Sequence, residues 1–251
     1  MKQLLIRLMF MMLPVTAWAA GGAGVALDSF DVDIHDKASL QRGVQLYTNY
    51  CLGCHSLGHS RYERVANDLG IPNELYEQNL IFTGAKIGEL MHSAMPATEA
   101  AAWFGTPPPD LTLVARLRGA DWLYTYLRAF YQDERRPWGV NNSIFPDVGM
   151  PHVLVGLQGM CAEEPKFGKP TIDPLTGQIL EGAGCQKYVY QGSMTPAEYD
   201  RAMKDLVNFL VYVGEPSRLQ AERIAPYVLG FLVILFVFVY LLNREYWKDV
   251  H

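Results

Sequence analysis

Cys51-Leu52-Gly53-Cys54-His55 decides the reading of this chain. The run is C-x-x-C-H, the attachment signature of a c-type haem. Two thiols add to the two vinyl groups on one porphyrin edge, and the two-residue spacing sets the sulfurs that far apart. The adjacent imidazole then turns back to ligate iron. A bare redox pair has no need of histidine there, and a structural zinc site of this type needs a second ligand pair. Cys161 and Cys185 supply none at short spacing. One covalently attached haem c is the expectation.

Outward from the motif, residues 36–50 read as a helix that leads into it. Leu40, Gly43, Val44 and Tyr47 fall on one face. Glycine inside that face points to close approach by another helix. Thr195-Pro196-Ala197-Glu198 is a capping box with proline at the first helical position. Tyr199, Met203, Leu206, Leu210 and Val213 continue it as an apolar stripe, which Gly214 and Pro216 end. These two helices can cross and close the chain around a haem. Asp121 is expected to cap a third helix, with Leu123, Tyr126, Leu127 and Phe130 inward. Prolines at 107–109 and Pro137-Trp138-Gly139 mark loops; strands look few, and no repeat is visible. Turn residues from Gly168 to Gly184 suggest a small hairpin.

Both ends carry membrane signals. Lys2 and Arg7, an apolar run from Leu8 to Val15, and Ala17-Trp18-Ala19 read as an export signal cleaved after Ala19. Residues 225–242 hold no charge. At ~1.5 Å per residue they span about 27 Å, close to a bilayer core. Tyr227, Tyr240, Tyr246 and Trp247 sit near the ends of that run, as an aromatic belt would. The expected organisation is a signal peptide over 1–19, an exported haem domain over 20–220, a membrane anchor over 221–243 and a cytoplasmic tail over 244–251. The exported body would then face the periplasm of a bacterial inner membrane.

Formal net charge is −5, and without Lys2 and Arg7 it is −7, from 19 basic and 26 acidic residues. No basic stripe marks a nucleic-acid surface. Asp28, Asp31, Asp33 and Asp36 either serve solubility or form an acidic dock for a basic partner. Once haem takes two cysteines, Cys161 and Cys185 remain. In an oxidising compartment they are expected to bond, the alternative being two buried thiols.

His55 fills one axial site of the iron. Met150, in Phe145-Pro146-Asp147-Val148-Gly149-Met150-Pro151-His152, is the leading candidate for the other, because glycine and proline can hold its thioether outside a helix. Met160, Met194, Met91 and Met95 are rivals, and Met203 reads more simply as core. His152 or His92 would give a bis-histidine iron of lower potential. An open sixth site would imply ligand binding or peroxide chemistry.

These residues resemble the cytochrome c1 family, the haem subunits of ubiquinol–cytochrome c oxidoreductase. The resemblance rests on Arg42-Gly43-Val44-Gln45-Leu46-Tyr47 before the haem motif, Pro108-Pro109-Asp110-Leu111 followed by Ala115-Arg116, the Gly149-Met150-Pro151 segment and the single C-terminal anchor. It implies a mostly helical, class I cytochrome c-like domain with loop insertions. It implies Met150 as axial ligand, Pro108 and Pro109 packed near the haem, and Arg116 beside a propionate. The Cys161/Cys185 pair resembles a disulfide of some bacterial members. Implied partners are cytochrome b, a Rieske iron–sulfur protein and a soluble or tethered cytochrome c, in a dimeric complex. Trp122 stands where the family often has tyrosine and receives no role; nothing is transferred onto residues 63–103. The chain would pass single electrons from the Rieske protein to cytochrome c, as a subunit of an oxidoreductase rather than an enzyme by itself. A tethered subunit of a terminal oxidase, or a haem enzyme or sensor with an open sixth site, are the alternatives.

Overall fold

The computed structural model describes residues 26–168, 171–172, 174–177, 179–181 and 184–248. The expected export signal lies outside them. In the first half the elements are α1 (Lys37–Tyr50), β1 (Leu57–Arg61), α2 (Tyr62–Leu69), α3 (Asn73–Leu80), β2 (Leu90–Met91) and α4 (Ala97–Phe104). Next come α5 (Val114–Arg118), α6 (Ala120–Leu127), β3 (Phe130–Gln132), β4 (Val140–Asn142), α7 (Val155–Gln158) and β5 (Gly159–Cys161). The chain continues with β6 (Thr171–Ile172), β7 (Ile179–Glu181), β8 (Tyr188–Gln191), α8 (Pro196–Gly214) and α9 (Arg218–Tyr246).

The crossing of α1 and α8 builds the core. Asp36 starts α1 by accepting from the Ser39 N–H at 3.0 Å. Thr195 and Glu198 start α8 with a complete capping box. Gly43 is required where the helices meet: a side chain there would collide with the Asp205 carbonyl and the Phe209 Cβ. Leu40, Val44 and Tyr47 bury against Met203, Leu206 and Phe209. Each large side chain so buried contributes about 1.5–3 kcal/mol. A polar pin crosses the same contact. Asp205 accepts from Ser39 Oγ at 2.7 Å and from Arg42 Nε at 2.6 Å.

Helix α6 is not capped by Asp121 as expected. Gly119, at φ +87°, occupies its N-cap position, because its backbone conformation is open only to glycine at little strain. Asp121 lies in the first turn and accepts from the Phe30 N–H at 3.2 Å instead. Asp28 is likewise spoken for. It meets Arg128 at 2.7 Å, which also holds Asp200 at 2.6 Å. Two of the four early aspartates, Asp28 and Asp36, thus fasten the N-terminal segment and cap a helix.

More strand is present than the sequence suggested. A four-stranded sheet runs in the order β4-β3-β5-β8, with β3 and β5 parallel and the outer pairs antiparallel. The expected hairpin is β6 paired antiparallel with β7. A disulfide joins Cys161 to Cys185, with Cα atoms 5.8 Å apart, and ties β5 to the segment before β8. Helix α9 is 29 residues long with mean hydropathy 2.6 in its apolar window, and none of that window is buried. An apolar helix with no protein covering fits a membrane span rather than a core. At its root His35 Nε2 lies 2.8 Å from Glu222.

Candidate haem-binding site

Helix α1 delivers the C-x-x-C-H run as one further turn. The Cys51 and Leu52 amides bond the Tyr47 carbonyl, and the Cys54 and His55 amides bond the Cys51 carbonyl at 3.0 and 2.8 Å. That turn gathers both thiols and the imidazole on one wall. The buried Tyr47 hydroxyl donates to the His55 carbonyl at 2.5 Å and locks the turn to the core. Cys51 and Cys54 are not bonded to each other. Burial pushes the Cys51 thiol up to about 12, with Cys54 adding to the shift.

The imidazole is aimed by the proline segment. His55 Nδ1 lies 2.7 Å from the Pro109 carbonyl oxygen. A carbonyl only accepts, so Nδ1 carries the proton and Nε2 keeps its lone pair for a metal. Burial holds the ring's pKa below its ordinary value, partly offset by Pro109 and Asp110. The segment is itself docked. Asp110 accepts from the Gly58 N–H at 2.6 Å and the Thr112 N–H at 2.8 Å, and the Leu111 amide bonds Ser56. Burial alone would raise the Asp110 carboxyl; these bonds outweigh it and hold the group below its ordinary value.

Met150 reaches the same cavity from a loop organised by two buried asparagines. Asn141 Oδ1 accepts from the Asp147 N–H, and Asn142 Oδ1 accepts from Ile144 and Phe145. Asn142 Nδ2 donates to the Tyr126 carbonyl at 2.9 Å. Asp147 takes a left-handed φ of +62°, where Arg136 grips both its carboxylate and its carbonyl. The Tyr126 hydroxyl donates to the Met150 sulfur at 3.4 Å.

These parts enclose one cavity of about 450 Å³, within the range of cofactor pockets. Cys51, Cys54, His55, Pro108, Pro109 and Met150 all line it. The remaining walls are mostly apolar, with Leu123 and Leu127 from α6 and Leu206 and Leu210 from α8. Two thiols, one imidazole with a free ring nitrogen and one thioether in an apolar cleft are the donor set that a c-type haem requires. The residues present fit that group. A more open groove of about 510 Å³ beside Gln41, Asn79 and Phe82 holds none of these donors.

Met150 is the methionine on the cavity wall among the described residues. Met91 and Met203 are buried in the core, and Met160 and Met194 pack at its margins. His152 stacks on Phe130 at 4.8 Å and does not line the wall. Arg116 is not brought to the cavity. It lies 3.9 Å from Glu215, while Arg118 lines the wall. Residues two apart on a helix cannot share a face, and Val114 already faces inward four positions before Arg118; that spacing was the signal for Arg118. Trp122 also lines the wall, under the Arg118 guanidinium at 5.0 Å.

The Cytochrome C1 family matches residues 29–162 and 176–250. Over 247 residues the chain is 50% identical to a cytochrome c1 of Allochromatium vinosum, covering 98% of this chain and 99% of that one. This chain belongs to the cytochrome c1 family. It is also 45% identical over 239 residues to a protein named ammonia monooxygenase gamma subunit from Nitrosomonas europaea, covering 92% of each. A cytochrome b/c1 of Bradyrhizobium diazoefficiens is 24% identical, with 86% of this chain matched to 34% of that protein. A cytochrome c1 is a haem electron-transfer subunit of a bc1 complex, an oxidoreductase that also contains cytochrome b. The C-terminal apolar helix suits its attachment to the membrane.

Proposed function

We propose that this cytochrome c1 holds one haem through thioether bonds from Cys51 and Cys54, with His55 and Met150 as axial ligands. It receives single electrons from a Rieske iron–sulfur protein and passes them to a cytochrome c. The observation that carries this reading is the meeting of all four side chains on one apolar cavity. When bound, the haem supplies an iron that alternates between ferric and ferrous forms. The chain does the rest. Pro109 fixes the imidazole tautomer, so His55 presents a lone pair rather than a proton. Met150 offers a neutral, soft sulfur, which favours the reduced metal relative to a second imidazole and suits an acceptor of Rieske electrons. The apolar walls exclude water. Arg118, on the cavity wall, would meet a propionate together with or in place of Arg116, the residue the resemblance implies. Pro107, Pro109 and Phe145 are exposed beside the cavity and offer a contact for the acceptor.

The domain arrangement follows from the same reading: a cleaved signal over 1–19, a haem domain over 20–220 on the periplasmic side, and an anchor over 221–243 in a bacterial inner membrane, within a dimeric complex. The protein should be produced with cytochrome c maturation factors and extracted in mild detergent. Haem should stay with the chain under denaturing conditions, cytochrome b and a Rieske protein should co-purify, and the reduced form should not take up carbon monoxide. Haem lost on denaturation would refute the attachment. Carbon monoxide binding would favour an open sixth site.

A further inference from the structure

We propose that the Tyr126 hydroxyl, by donating its hydrogen bond to the Met150 sulfur, raises the redox potential of this centre. Tyr126 is a positioning residue that acts through Met150, and the inference rests on Met150 being the axial ligand.

The geometry gives Tyr126 little freedom. Trp122 and Tyr126 stand four residues apart on α6, so they share a face. Their rings stack at 4.9 Å with a 10° interplanar angle, and Phe130 meets Tyr126 edge-on at 5.4 Å. The Tyr126 carbonyl is held by Asn142, the residue that also folds the Met150 loop. Ring, backbone and loop are thus fixed relative to one another, and the hydroxyl reaches the sulfur at 3.4 Å. A phenol ordinarily titrates at about 10, so its hydroxyl is available as a donor at physiological pH. A thioether sulfur has two lone pairs. With one on iron, the other is free to accept. Donation to it withdraws electron density from the sulfur and makes it a poorer donor to the oxidised metal. The reduced state gains relative to the oxidised one, and the sulfur is held in one orientation.

The test is an equilibrium redox titration of the detergent-extracted holoprotein. Tyr126→Phe keeps the stacked ring and removes only the hydroxyl. Its potential should fall, with the ferrous-to-ferric ratio at a fixed potential reduced about two- to tenfold, the worth of one hydrogen bond. In a Met150→His background the same substitution should change nothing, because no thioether remains to accept. A second readout needs no mutation: resonance Raman of the unmodified ferric protein in H₂O and D₂O should show a shifted iron–sulfur stretching mode. An unmoved potential in Tyr126→Phe, while Met150→His lowers it, would overturn this proposal and leave the ligand assignment standing. An unmoved potential in Met150→His would remove the ligand assignment itself and this inference with it.

Discussion

His55 Nδ1 and the Pro109 carbonyl oxygen stand 2.7 Å apart, and that contact sets which ring nitrogen faces the cavity. It depends on a segment docked by Asp110, whose carboxylate holds the Gly58 and Thr112 amides.

Asp110→Ala should therefore loosen the grip of Pro109 on the imidazole. The group is exposed, so the expected cost is only about 1 kcal/mol. The sharper sign is faster exchange of the His55 Nδ1 proton, followed by NMR of the reduced protein. Unchanged exchange would mean that the segment stands without Asp110.

Gly43 allows α1 and α8 to touch, and a methyl group there would meet the Asp205 carbonyl. Gly43→Ala should destabilise the fold by about 1–3 kcal/mol through overpacking. Denaturant unfolding, followed by the Soret band, measures this. Stability equal to the unaltered protein would show that the crossing is looser than described.

Asn142 is fully buried and serves three backbone partners. Asn142→Ala leaves the Ile144 and Phe145 amides and the Tyr126 carbonyl without it, at a cost of about 2–5 kcal/mol. The loss should fall first on the Met150 loop, so the ferric iron–sulfur charge-transfer band should weaken at temperatures well below global unfolding. A band that persists to the global transition would argue against Asn142 as the loop's support.

Asp133 accepts from Arg135 and Asn141, and the Arg135 bond foremost lowers its carboxyl from an ordinary 3.8 to about 2. A folded pKa below the unfolded one contributes stability above the unfolded value and loses it as pH falls through the folded value. The contribution should be complete above about pH 4 and disappear toward about pH 2. Asp133→Asn should be less stable than the unaltered protein at pH 6 and should flatten the pH dependence between 4 and 2. Parallel pH curves for the two proteins would contradict this.

What the sequence made legible was local. The haem turn, the capping box at Thr195 and the apolar anchor are each written in contiguous residues, and the structure places each as an element of its own. The α1/α8 crossing was visible because glycine at position 43 has no other good reason to interrupt an apolar face. Strands β3, β4 and β5 were missed because three residues are too few to display an alternating pattern, and their pairing is set at a distance. Asp28 resembled surface charge because its partner, Arg128, lies 100 residues away. Arg118, which lines the cavity where Arg116 does not, was not singled out, because motif spacing does not carry helical phase. Asn142 left no mark, since a buried amide that folds a loop has no signature in one sequence.

The proposed site grips iron between an imidazole and a thioether. Iron K-edge X-ray absorption of the purified holoprotein tests it most directly. One axial nitrogen and one sulfur scatterer are expected, with the sulfur lost in Met150→Leu while the haem stays attached. A spectrum without sulfur, or a sulfur contribution that survives Met150→Leu, would rule out Met150 as the ligand.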